Sequence, residues 1–173
     1  RVAVPEYKRR GKSFKQDLDL LVAMFAKKYS DYKFVLALSG GIDSEVTAES
    51  FYSQGIPFRA VSQRLFEGVN DYDIGYAAKY CKERFIDYSI VNLSMDKMLN
   101  YTIPDAIEHG QFTHSYSQIA LTNIFSVARE NEIVVFSGHN PDFHRKIGIG
   151  WWEDSPNIVK YAISKEHKFF TFT

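Results

Sequence analysis

The stretch Ser39-Gly40-Gly41-Ile42-Asp43-Ser44 sets two adjacent glycines between a hydrophobic run and a helical pattern, inside "VLALSGGIDSEVTAESF" (35–51). Glycines at such a junction let the backbone approach a bound group closely, and the first-turn amides of the following helix favour an anion. The hydroxyls of Ser39 and Ser44 add donors, so residues 39–44 read as a nest for phosphate oxygens. Asp43 is the odd member, an acid where an anionic ligand would dock. It is either a helix-start acid favoured by the macrodipole or a carboxylate holding Mg²⁺, which bridges it to phosphate oxygens. Two common phosphate loops are excluded by spacing. A Walker A loop needs four residues between its glycines followed by Lys-Ser/Thr, and a dinucleotide loop needs G-x-G-x-x-G.

Other residue types with chemical potential are weaker. Cys81 falls on the apolar stripe of its helix and reads as a small core hydrophobe, not a sulfur carrier. His139 and His144 with Asp142 lack a third strong ligand for zinc. Trp151 and Trp152 are either core cover or a surface for substrate or partner. The basic run "KRRGK" (8–12) reads as a solvated terminus in preference to an RNA contact.

These residues must be positioned by regular elements. Phe14, Leu18, Leu21, Val22, Phe25 and Tyr29 recur at helical spacing and predict a helix over 14–30. "KFVLALS" (33–39) is apolar on both faces, which suits a central parallel strand. A helix over 43–54 follows, stopped by Gly55 and Pro57. "FRAVSQ" (58–63) reads as a second strand. "NDYDIGYAAKYCKERF" (70–85) opens with cap residues and reads as a helix, and "YSIVNLS" (88–94) as a third strand. Residues 95–113 read as helical turns broken at Pro104 and Gly110. A helix over 115–131 buries Ile119, Ala120, Ile124, Val127 and Ala128, and "EIVVFSG" (132–138) is a fourth strand. Beyond 138 the pattern dissolves into a long loop. Helices of ten or more residues alternating with short apolar strands predict an α/β fold, a parallel sheet with helices on both faces.

Composition sets the outer bounds. With 173 residues, 45% of them hydrophobic, the chain reads as one globular domain over 1–173, part of a slightly longer protein. Basic and acidic residues balance at 21 each, so no overall charge favours nucleic acid or an anionic membrane. The single cysteine excludes an intrachain disulfide and suits a reducing compartment, so a cytoplasmic protein is expected. No apolar run approaches the ~18 residues that span a bilayer.

"SGGIDS" (39–44) after a strand resembles the signature loop of the ATP pyrophosphatase, or PP-loop, superfamily, which includes NAD, GMP and asparagine synthetases and several tRNA-modifying enzymes. "SGHNPDF" (137–143) is similar to a second segment of that family, G-H-N-x-D-D, matching at Gly138, His139, Asn140 and Asp142 but carrying Phe143 for the final acid. The resemblance spans roughly residues 33–146. It implies an adenine nucleotide α-hydrolase-like, Rossmann-like three-layer fold, with ATP and Mg²⁺ bound, AMP attached to a substrate oxygen and pyrophosphate released. A nucleophile, ammonia or activated sulfur, then displaces AMP. On that resemblance the nucleotide lies on Leu38, Ser39, Gly40, Gly41, Ile42, Asp43 and Ser44, with Val61, Ser62 and Gln63 beside adenine or ribose and Gly138 and His139 across the cleft. Arg64 is a further candidate for phosphate or a substrate carboxylate. Asp43 and Asp142 are the expected magnesium ligands; Asp43, Ser44 and Lys146 are the expected catalytic groups, Lys146 meeting charge on pyrophosphate. The acceptor is a small molecule or a nucleic acid, and a homodimer is left open. Other readings remain: a sulfonucleotide (PAPS) reductase-like protein or a tRNA-modifying member, and a nucleotide-binding module without chemistry of its own.

Overall fold

Phe34, Val35 and Leu36 point bulky side chains to alternate faces of a five-residue strand, β1 (Lys33–Ala37), and all three are buried. A strand with two apolar faces has to lie inside a sheet covered on both sides. The computed structural model describes residues 13–108 and 119–137, together with the backbone of 116–118, 142–146, 149–153 and 169–172. Within it, β1 is the middle of a five-stranded, wholly parallel sheet. Its companions are β2 (Phe58–Leu65), β3 (Tyr88–Leu93), β4 (Glu132–Ser137) and β7 (Phe169–Phe172), in the spatial order β3-β2-β1-β4-β7. A separate antiparallel pair, β5 (Asp142–Lys146) and β6 (Ile149–Glu153), lies between β4 and β7 in the chain.

One face of the sheet is covered by α1 (Phe14–Lys28), α2 (Ile42–Ser53) and α3 (Asp71–Glu83). Phe34, Leu36, Ala60 and Val135 pack there against Val22 and Phe25 of α1, Phe51 of α2 and Cys81 of α3. Burial leaves Cys81 fully covered and pushes its thiol up to about 11, so it is a neutral core group. The start of α1 is closed by a capping box, with Ser13 and Gln16 bonding each other's backbone amides. On the opposite face Val35, Val61, Val134 and Phe136 meet Ile124 and Phe125. Those two residues lie in a 3₁₀ segment, Thr122–Val127, that continues α6 (Tyr116–Leu121). The expectation of helices on both faces of a parallel sheet holds.

Three local expectations change. Pro104 does not break the chain's helical course: it lies in α5 (Ile103–Glu108), directly after a non-α stretch of the same helical run. Ahead of it run one turn, α4 (Met95–Lys97), and a π-helical stretch over Met98–Thr102. The helix expected over 115–131 is α-helical only to Leu121 and then tightens, so Phe125 is buried while Val127 and Ala128 are only half-buried. The region after 138 is not one long loop, because it carries β5, β6 and the fifth sheet strand. Short pairs of this kind have too few residues for a periodic signal.

At the amino ends of the strands, Arg59 on β2 reaches past β1 to Glu132 on β4. Its Nε donates to Glu132 Oε1 at 2.8 Å and its Nη2 to Oε2 at 2.6 Å and to the Val127 carbonyl at 2.8 Å. The Arg59 guanidinium holds the Glu132 carboxyl below its usual range. Among the described residues no helix is long and apolar enough to cross a membrane.

Candidate functional site

From β1 the chain passes to β2 and β3 on one side, while β4 and β7 lie on the other. The strand order therefore reverses between β1 and β4, and an open parallel sheet has a crevice at the carboxyl ends of its strands at such a point. Residues 38–41 leave β1 at that end and turn directly into α2.

The two glycines of the turn have different duties. Gly40 has φ +88°, and a Cβ built on it would lie 1.9 Å from the carbonyl oxygen of Asp73 in the first turn of α3. Only glycine allows that backbone-to-backbone approach. Gly41 has φ −84°, is exposed, and serves as N-cap of α2 without giving it a side-chain hydrogen bond. The start of α2 is thus uncapped from within, and helix amides left this way favour an anion. Ser44 is buried and braces the loop. Its hydroxyl donates to the Gly41 carbonyl at 2.9 Å, accepts from the Ser39 amide at 3.2 Å and lies 3.0 Å from Ser39 Oγ. Ser39 Oγ in turn accepts from the Gly41 amide at 3.2 Å. Ile42 and Asp43 stand exposed on the first turn of α2.

Beside the loop lies a cavity of about 200 Å³ whose walls come from β1, β2, β4 and the α6 segment. Leu38, Val61, Ile124 and Phe136 make most of it apolar, and the polar residues on its wall are Ser39, Gln63, Asn70 and Ser137. Register explains the choice of β2 residues. Ala37 at the end of β1 is opposite Val61, so β2 overruns β1 and residues 62–65 have no strand beside them on that side. Asn70 takes the place of the missing strand: its Nδ2 donates to the Gln63 carbonyl and its Oδ1 accepts from the Leu65 amide, both at 2.8 Å. Its position ahead of α3 marks it in the sequence as a helix cap, yet the side chain gives α3 no cap bond.

The expected residues divide accordingly. Leu38, Ser39, Val61 and Gln63 share the cavity wall, and Gly40 to Ser44 form the adjacent loop. Ser62 is fully covered and donates its hydroxyl to the Leu38 carbonyl, so it ties β2 to the loop from outside the cavity. Arg64 forms a bidentate pair with Asp71 at the surface, Nε to Oδ1 at 2.6 Å, and lowers the Asp71 carboxyl pKa. Gly138, His139 and Asn140 lie outside the described residues, and of Asp142, Phe143 and Lys146 only the backbone, in β5, is described. The side chains of Trp151 and Trp152 and the basic run 8–12 lie outside them as well. Asn70, Ile124 and Phe136 were not legible as site residues. Each carried only the pattern of a cap or a core position.

Asp43 alone does not make a metal site. Among the described residues no group of three or more His, Cys, Asp or Glu side chains could hold an ion.

No protein-family model matches the chain, and no curated protein matches it. Solved structures do. NMN synthetase from Francisella tularensis superposes with a TM-score of 0.52 at 20% identity, over 70% of this chain and 51% of that one. Glutamine-dependent NAD⁺ synthetase from Acinetobacter baumannii, solved in complex with ADP, gives 0.53 at 14% identity, over 70% and 24%. A predicted subunit of tRNA methyltransferase from Methanocaldococcus jannaschii gives 0.51 at 18% identity, over 81% and 67%. The chain thus spans about half the length of the NMN synthetase and about a quarter of the NAD⁺ synthetase. At these identities the likeness is one of fold. It is the adenine nucleotide α-hydrolase-like fold implied by the resemblance of residues 39–44 to the PP-loop signature.

Proposed function

We propose that this chain is a PP-loop ATP pyrophosphatase that binds ATP across the carboxyl ends of β1 and β2 and transfers AMP to an acceptor oxygen. The observation that carries the reading is the uncapped start of α2, opening onto the glycine turn immediately beside an apolar cavity at the strand-order reversal. A cavity of about 200 Å³ is smaller than the ~300–1,000 Å³ that encloses a whole drug-sized ligand, so it suits the base alone. The ribose and phosphates then extend past Ser39 to the amides of residues 40–44. The structural neighbours include two synthetases, one of them solved with bound ADP, which supports the same class.

In this reading the loop amides bind the phosphates, and Ser39 and Ser44 hold the turn in the conformation that presents those amides. An acceptor oxygen attacks the α-phosphorus, the bond to the bridging oxygen breaks, and pyrophosphate leaves with the electron pair. Positioning and charge stabilisation are the protein's contribution. Asp43 and Asp142 would hold Mg²⁺, which when bound neutralises charge on the leaving pyrophosphate. Lys146 would add a second positive charge there, and Gly138 and His139 would close the far side of the cleft. A nucleophile then displaces AMP from the acceptor.

Asp43→Asn tests this. A carboxylate 4 Å from a phosphate charge costs roughly 4 kcal/mol at an effective dielectric of 20 unless a cation lies between them. Calorimetric titration of ATP with and without Mg²⁺ should show metal-dependent binding in the wild type, and the variant should lose most of that dependence along with pyrophosphate release. An unchanged dependence in the variant leaves Asp43 as a helix-start acid, worth about 0.3–1 kcal/mol of stability.

A further inference from the structure

The helix α1 carries two apolar stripes. Leu18, Val22, Phe25 and Tyr29 turn toward the core. Phe14, Leu20, Leu21 and Met24 lie outside it, each at least 50% exposed. Phe14 and Leu21 share the spacing that predicts a core face, yet the fold leaves them uncovered. With 3.6 residues to a turn, Phe14, Asp17, Leu20, Leu21, Met24 and Lys28 fall within an arc of about 120°. A contiguous apolar strip of this kind on the solvent side of a helix marks a contact surface. Its two ends differ in charge. Asp17 lies in the first turn, and Lys27 and Lys28 lie in the last. Among the described residues Asp17 and Lys27 have no ion-pair partner, whereas the nearby Asp19 is already held by Lys15 and Ser50.

We infer that this face pairs with the same face of a second copy, the two α1 helices running antiparallel about a two-fold axis. A face that is acidic at one end and basic at the other complements itself only when one helix is reversed. Spacing sets the register. Asp17 lies one turn before Leu21, and Lys28 lies one turn after Met24. With Met24 against Leu21 of the second copy, Asp17 therefore falls opposite Lys28 of the second copy, with Lys27 beside it. The two-fold axis repeats that pairing at the other end. Leu20, Leu21 and Met24 of both copies form the apolar centre, which supplies most of the affinity, while the charges fix direction and register. Parallel helices would instead set Asp17 on Asp17 and lysine on lysine. One helix per subunit is a small contact beside a standard interface, so the dimer should dissociate reversibly. None of these residues belongs to the glycine turn or to the cavity beside it, so the inference does not rest on the nucleotide reading.

Sedimentation velocity over a concentration series should show a reversible monomer–dimer equilibrium in the wild type. Met24→Glu, at the centre of the face, should raise the dissociation constant by about tenfold or more. Asp17→Lys in one chain, and Lys27→Glu with Lys28→Glu in another, should each weaken self-association by about tenfold, because like charges then meet at both ends. Mixed in equal amounts, those two chains should form a heterodimer within about threefold of the wild-type affinity, since opposite signs meet again at each end. Circular dichroism separates lost association from lost folding. A wild type that stays monomeric throughout, or a dimer indifferent to Met24→Glu and to the charge reversals, overturns the α1 contact. Charge reversals that weaken the dimer without recovery on mixing overturn the antiparallel register.

Discussion

Replacing each glycine of the turn with alanine separates two roles that the sequence presents as one. At Gly40 the added Cβ meets the Asp73 carbonyl oxygen at 1.9 Å, whereas real contacts of this kind do not fall under 3.0 Å. The first turn of α3 must retreat by more than an ångström, and overpacking of that sort costs about 1–3 kcal/mol. The φ of +88° adds the left-handed penalty of about 1–2 kcal/mol for a side chain. Together Gly40→Ala should lose about 2–5 kcal/mol, a large part of the ~5–15 kcal/mol that holds a domain folded. At Gly41 the new Cβ would sit 3.4 Å from Ser39 Oγ, an ordinary contact, in an ordinary region of φ. The cost there is that of alanine at an N-cap, about 0.5–1 kcal/mol. Urea denaturation reads the difference directly: with a slope of about 2 kcal/mol per molar, Gly40→Ala should move the midpoint down by roughly 1–2.5 M and Gly41→Ala by about 0.5 M or less. Equal midpoints for the two variants would refute the close approach of α3 to the loop.

The Arg59–Glu132 pair gives a stability prediction with a pH signature. Glu132 has almost no exposure and Arg59 little, so Glu132→Gln should cost about 3–5 kcal/mol by leaving a covered guanidinium uncompensated. In the wild type the Glu132 pKa is lowered in the folded state from its ordinary 4.5, chiefly by the hydrogen bonds from Arg59. Its stabilising effect is therefore complete above 4.5 and is lost as pH falls through the lowered value, and the variant should lack that acid-side fall. A variant whose stability-against-pH curve parallels the wild type below pH 4.5 would show that the pair does not act this way. For Cys81, full burial and a thiol raised to about 11 predict no reaction with an aromatic disulfide reagent in the native protein at mildly alkaline pH and complete reaction after unfolding. Rapid labelling of the folded chain would contradict its place in the core.

Local signals carried a good part of this protein. The doubly apolar run at Phe34–Leu36, the helical spacing from Leu18 to Tyr29 and the stop at Gly55-Ile56-Pro57 each depend on residues a few positions apart, so composition and period reveal them. The phosphate loop was legible for the same reason, because its glycines and hydroxyls are contiguous between a strand and a helix. What joins distant residues was not. Nothing near Gly40 announces Asp73, nothing near Arg59 announces Glu132 seventy-three positions on, and Asn70 carries the pattern of a helix cap while its side chain serves β2. The tightening of the chain over Thr122–Val127 and the return of Phe169–Phe172 to the sheet edge beside β4 belong to the same class. These outcomes follow from which strands lie side by side and in what register. That choice is made by the fit of whole surfaces, and no short stretch of sequence holds it.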